Sequence, residues 1–217
     1  IDRCQFLSAE DALDVPDRQT IGFNANANDI KLRDNRATRF RHFGIIAGQN
    51  NIITGNHFFQ GDSVANGVRS AGLILATTNT SSVVVNNYVD NCLIEWTNEL
   101  DPTPAFSGGF SFSALSVTDN VFLCGEAAPW FSYLVVKPYG AGHFLNGLSV
   151  TGNRFRSING VIDRVERVDT TFADLDFSRT RNVVMSANSF NNVTTQTESP
   201  AIIDFSQNSN ADTWSID

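Results

Sequence analysis

Leu148-Ser-Val-Thr-Gly-Asn153-Arg-Phe155 is a phrase that this chain repeats, and its nearest copy reads Leu115-Ser-Val-Thr-Asp-Asn120-Val-Phe122. Four further copies are Ile30-Lys-Leu-Arg-Asp-Asn35, Asn51-Ile-Ile-Thr-Gly-Asn56-His-Phe58, Val83-Val-Val-Asn-Asn87-Tyr-Val89 and Val184-Met-Ser-Ala-Asn188-Ser-Phe190. Within the phrase Leu148, Val150, Asn153 and Phe155 alternate with Ser149, Thr151 and Arg154, which is the period of a strand rather than a helix. The asparagines recur at intervals of 21, 31, 33, 33 and 35 residues. A fixed phrase at a near-fixed period predicts a solenoid, with the longer coils adding surface loops of roughly ten residues.

Each coil carries a second apolar run, as in Gly44-Ile-Ile-Ala47, Gly72-Leu-Ile-Leu75, Leu175-Asp-Phe-Ser178 and Ile203-Asp-Phe-Ser206. No segment has a helical period. Strands of successive coils stack about 4.8 Å apart, like side chain over like side chain. Two internal ladders are therefore predicted. One is the asparagine column, whose amides serve a tight turn and the copies above and below. The other, two residues further on, is Phe6, Ala37, Phe58, Val89, Phe122, Phe155 and Phe190, which assigns much of the unusual phenylalanine content (17 residues) to the core.

The Val-Thr-Gly-Asn-Arg-Phe wording at these spacings resembles the right-handed parallel β-helix of the pectate-lyase-like superfamily, and the resemblance covers nearly the whole chain. It implies an all-β, single-stranded parallel β-helix of about seven coils. It also implies a polysaccharide substrate and an extracellular or cell-surface location. The superfamily includes lyases, glycoside hydrolases, epimerases, tailspikes and adhesins, so fold transfers more readily than reaction. A leucine-rich repeat shares the L-x-V-x-x-N-x-F skeleton. Scarce leucine, a strand-like second run and variable coil lengths favour the β-helix.

Ile1-Asp-Arg-Cys4-Gln-Phe6 matches Val150 to Phe155, and Trp214-Ser-Ile-Asp217 matches Leu148 to Thr151. The expectation is one domain, residues 1–217, cut from a longer protein with both ends truncated. A 41% apolar content suffices for a continuous core. A net charge of −8 argues against nucleic acid as the partner, and no apolar stretch approaches a membrane span. The three cysteines lack metal spacing. Cys92 and Cys124 fall near equivalent places in adjacent coils, as buried thiols or as a bridge.

Three candidate sites follow from outward positions. The column after the asparagines reads Gln5, Arg36, His57, Tyr88, Val121, Arg154 and Ser189. Arg36, His57 and Tyr88 stack on consecutive coils as a carbohydrate-binding strip, with Arg33, Arg39, Arg41 and His42 nearby. Cations beside aromatic rings suit acidic sugars. Second, Asp176 and Asp204 occupy matching runs and would form a carboxylate pair near 5 Å, roughly the separation of a retaining glycosidase, or half of a calcium site.

Third, long middle loops place Glu95 with Trp96, Glu126 with Trp130, and Asp163 and Arg164 with Glu166, all six to thirteen residues after their asparagines. Tyr133, Tyr139 and His143 join that set. Carboxylates beside indoles provide acid, base and sugar platform, so Glu95, Glu126, Asp163 and Glu166 are the preferred catalytic candidates. The alternative is that Trp96 and Trp130 pin their loops to the coil.

The Asn-Thr-Asp, Gly-Asp-Asp, Gly-His-Gly and Arg-Ile-Lys set of the polygalacturonase-like branch is missing, and Gly142-His143-Phe144 only grazes it. The Trp-Ile-Asp-His and Arg-x-Pro-x-x-Arg marks of pectate lyases are missing too. The resemblance therefore transfers no catalytic residue and no cofactor. Two expectations stand side by side: an enzyme acting on an acidic glycan in a groove across the coils, and a non-catalytic glycan-binding shaft. The enzyme is expected as a monomer and the shaft as a homotrimer. A structural solenoid without ligand is the third.

Overall fold

A computed structural model describes residues 1–7, 21–40, 42–59, 71–76, 79–97, 109–124, 128–137, 143–157, 162–168, 180–191, 203–204 and 214–216. Among the described residues every regular element is a strand, and every pairing is parallel. The strands form three sheets that the chain visits in turn, and each sheet adds one strand per coil. This is an all-β parallel solenoid, as the repeat predicts.

Sheet 1 holds Lys31–Arg33, Ile52–Thr54, Val83–Val85, Gly109–Thr118, His143–Thr151, Thr180–Ser186 and Trp214–Ile216, with Asn79–Thr80 beside the fourth of these. Sheet 2 holds Gln5–Leu7, Arg36–Thr38, His57–Phe59, Tyr88–Asp90, Val121–Cys124, Arg154–Ser157 and Ser189–Asn191. Sheet 3 holds Ile21–Asn26, His42–Ala47, Ala71–Ala76, Leu93–Thr97, Ala128–Lys137, Ile162–Val168 and Ile203–Asp204.

The corner between sheets 1 and 2 is the repeated phrase itself. Asp34, Gly55, Asn86, Asp119, Gly152 and Ala187, each just before a ladder asparagine, all have left-handed φ between 53° and 69°. Gly, Asn and Asp tolerate that conformation best, which accounts for most of the column. The glycines answer a second demand as well. A Cβ on Gly55 would collide with Asp34 Oδ1, and one on Gly152 with Asp119 Oδ1.

Behind that corner the amide ladder runs unbroken from Asn35 through Asn56, Asn87, Asn120 and Asn153 to Asn188. Asn87 shows the pattern. Its Oδ1 accepts the backbone N–H of Asn56 at 2.9 Å and the Asn56 Nδ2 at 3.0 Å. Its Nδ2 donates to Ile53 O at 2.9 Å and to Asn120 Oδ1 at 3.0 Å. Asparagine supplies both functions in one short side chain, so a buried corner is left fully satisfied.

The apolar column has the expected register, pairing Phe6 with Ala37, Ala37 with Phe58, Phe58 with Val89, Val89 with Phe122, and Phe122 with Phe155 and then Phe190. Phe122 and Phe155 stack at 4.9 Å, 10° from parallel. Ala37 is the small member, and Phe43 from sheet 3 reaches into its neighbourhood, its ring 5.0 Å from Phe6 and 6.0 Å from Phe58. Cys92 is a buried thiol whose Sγ lies 3.6 Å from Phe58 O, so the bridge to Cys124 is not formed. Among the described residues no helix is long and apolar enough to cross a membrane.

Candidate functional site

Sheet 2 presents alternate residues inward and outward, so its interior column fixes where its outer side chains stand. With Ala37, Phe58, Val89, Phe122 and Phe155 inside, Arg36, His57, Tyr88, Val121 and Arg154 form one outer column in continuous register. The predicted stacking of Arg36, His57 and Tyr88 on consecutive coils is present. A second outer column, two residues on, reads Thr38, Phe59, Asp90, Leu123 and Arg156.

The two columns together make a face with a defined pattern. Its centre holds the rings of His57, Phe59 and Tyr88, the apolar Val121 and Leu123, and the Asp90 carboxylate. Arg36 closes one end, and Arg154 and Arg156 close the other, all three exposed. Four rungs separate Arg36 from Arg154, or about 19 Å at parallel-strand spacing. His57 packs edge-on against Tyr88 with centroids 5.0 Å apart, and lies 6.3 Å from Phe59. Its Nε2 is 4.0 Å from Asp90 Oδ2 and is itself buried. An open depression runs alongside, between the corner residues Gly55, Asn86 and Asp119 and the outer side chains of His57, Tyr88 and Val121.

Of the cations expected near the strip, Arg33 lies on sheet 1, with Asp2 at 2.7 Å. His42 belongs to sheet 3, Arg39 occupies a left-handed corner, and Arg41 lies outside the described residues. The face keeps Arg154 from the predicted column and gains Arg156.

The middle-loop site is not assembled as expected. Leu93–Thr97, Ala128–Lys137 and Ile162–Val168 are strands of sheet 3, not loops. Trp96 is 0% exposed and belongs to the interior cluster with Ile94, so it is core and not a sugar platform. Glu95 is also buried, at 2% exposure, on the opposite side of the same strand. The reason is the parallel pairing of this strand on both sides, Trp96 with Leu75 and Val136, and Glu95 with Ile74 and Val135. Trp130 and Tyr133 lie in the next strand, and Asp163 and Glu166 in the one after, where Glu166 shares register with Leu134 and Ile203. Glu126 and Tyr139 lie outside the described residues.

The expected Asp176/Asp204 pair lies only partly within the described residues. Asp204 stands opposite Arg167, because Ile203–Asp204 pairs with Ile162–Val168; Asp176 lies outside the described residues. Among the described residues no three His, Cys, Asp or Glu side chains gather as a metal site.

Phe59, Asp90, Leu123 and Arg156 were missed by the sequence reading. The signal was available: each lies two residues beyond the outer column already recognised, on the same face of its strand. Comparison with protein-family models, with curated proteins and with solved structures finds no match to this chain.

Proposed function

We propose that this chain is a polysaccharide-active right-handed β-helix of the pectate-lyase-like kind, acting outside the cell or at its surface and holding an acidic glycan along the outer face of sheet 2. One observation carries the reading: exposed arginines stand at both ends of a ring-rich strip that runs along the stacking direction. A linear polymer laid across successive rungs meets a ring at the centre and a guanidinium at either end. Arginine pairs carboxylates in bidentate fashion, and the faces of Tyr88 and His57 suit the apolar side of a sugar. The formal charge of the whole chain is −8, so local attraction to an anion must come from this clustering.

A non-catalytic, homotrimeric shaft is the second reading. It is favoured by the burial of Glu95 and Trp96, which removes the middle-loop site. Both readings use the same face.

The test is affinity electrophoresis in gels containing polygalacturonate, alginate or a neutral glucan. Retardation is expected in the acidic gels only, and it should fade as salt is added. Arg36→Ala and Arg154→Ala should each weaken binding roughly two- to fivefold, the scale of a solvent-exposed ion pair. Equal retardation by the neutral glucan, or indifference to salt, refutes the acidic-glycan reading.

A further inference from the structure

We propose that Arg154 and Arg156, with Ser189 and Asn191 on the next rung, form a binding site for a tetrahedral oxyanion, the sulfate or phosphate ester of a glycan. The inference rests on the acidic-glycan reading and adds the chemical form of the anion at one end of the face. The two ends are not alike. At the first, the outer positions of one strand are Arg36 and Thr38, and the rung beyond offers Gln5 and Leu7. At the second, both outer positions of a single strand are arginine, and both side chains are exposed. On the rung beyond, Ser189 pairs with Arg154 and Asn191 with Arg156, and these two are exposed as well.

Alternate residues of a strand lie about 6.6 Å apart and neighbouring rungs about 4.8 Å apart, so the four side chains rise from the corners of a rectangle of that size. Phe155, 0% exposed, sits between the two arginines on the inner side and so fixes both on the outer one. Two guanidiniums, a hydroxyl and an amide offer their donors around one centre. On the previous rung Val121 and Leu123 add neither charge nor hydrogen bond. Among the described residues no carboxylate forms an ion pair with Arg154. Asp90, in the second outer column, stands two rungs from Arg156, or about 9.6 Å. Asp119 rests its carboxylate on Gly152 at the corner, two residues from Arg154, which leaves the Arg156 side as the more positive part of the rectangle.

The shape of the anion decides what this arrangement recognises. A planar carboxylate is satisfied by one arginine, whose two parallel N–H bonds match its two oxygens. A second arginine on the same strand then has no free oxygen to pair. A sulfate or phosphate ester presents three terminal oxygens in a pyramid. Two guanidinium forks can approach it from different sides, and the Ser189 hydroxyl or the Asn191 amide can donate to the oxygen that remains. The site therefore favours a tetrahedral ester over a carboxylate by about one exposed ion pair, roughly two- to fivefold in affinity.

The experiment is affinity electrophoresis of the 217-residue chain in gels of one neutral backbone, dextran, carrying carboxymethyl, sulfate or phosphate groups at equal substitution. Binding to the sulfate or the phosphate polymer should exceed binding to the carboxymethyl polymer roughly two- to fivefold, and the tighter of the two identifies the ester. Arg154→Lys combined with Arg156→Lys keeps both charges and removes both forks, so the double variant should lose this preference. Arg36→Ala should weaken binding to all three polymers by a similar factor and leave their ratio as it was. Carboxymethyl dextran bound as tightly as both esters overturns the inference and leaves the acidic-glycan reading standing. So does retardation by polygalacturonate or alginate with none by either ester. An undiminished ester preference in the double variant also overturns it. Absence of retardation by every charged polymer removes the acidic-glycan reading and this site with it.

Discussion

Truncating Phe122 to alanine tests the stacked interior at its most exacting point. The ring is 0% exposed, lies face to face with Phe155 at 4.9 Å, and has Val89 on the other side in register. Removing it deletes a rung of the stack between two strands that are themselves hydrogen-bonded on both sides, so the backbone cannot close the gap. Phe→Ala changes at such sites cost about 3–5 kcal/mol, more when the surroundings cannot collapse, which places this one near the upper end. Ala37 supplies the internal comparison. It occupies the same column and is tolerated because Phe43 bridges from Phe6 to Phe58. Ala37→Phe should accordingly overpack the site and cost about 1–3 kcal/mol. Combined with Phe43→Ala it should cost clearly less than the sum of the single changes, since each relieves the other. Urea melts of the four variants measure all of this. A Phe122→Ala midpoint equal to wild type, or strict additivity of Ala37→Phe and Phe43→Ala, refutes the column as a packed stack.

Asn120→Ala should destabilise by about 3 kcal/mol, because Asn87 N and Nδ2, Val84 O and Asn153 Oδ1 each lose a hydrogen bond in a buried corner; the same melts check it. Ser82→Ala should be neutral or stabilise by up to about 1 kcal/mol, since the buried Ser82 Oγ has no hydrogen-bond partner to lose, and differential scanning calorimetry reads the sign. Gly152→Ala should cost about 1–2 kcal/mol for its φ of +69°, plus the displacement of Asp119; Asp119→Ser in the same chain should recover only the second part in thermal melts.

The parts of the fold that could be read from the sequence are those in which a residue touches its own copy one coil away. Asn87 bonds Asn120 and Phe122 stacks on Phe155, so each interaction requires the same residue type at the same offset, and the repeat is the trace of that requirement. Sheet 3 has no ladder of this kind among the described residues. Trp96 pairs with Leu75 and Val136, where any large apolar side chain serves, and charged residues such as Glu95, Asp163 and Arg167 interrupt the alternation that marks a strand. Those runs therefore read as loops, and the carboxylates in them as a site.

The candidate face was only half legible for a related reason. Outer positions are constrained one coil at a time, so Arg36, His57 and Tyr88 show a register but no repeated type, and the contact of His57 with Tyr88 depends on rotamers that spacing does not encode. What singles out sheet 2 is the contrast with the described side chains of the other two faces. The middle of sheet 1 is lined outside by Val83, Val85, Ser116, Thr118, Ser149 and Thr151, with Ser116 bonded to Thr118 at 3.0 Å and Ser149 to Thr151 at 3.1 Å, so its hydroxyls satisfy one another. On sheet 3 the outer residues Ile45, Leu93 and Glu95 are buried. Among the described side chains, sheet 2 is the face on which rings and arginines stand together and remain open to solvent, along a single straight line of rungs.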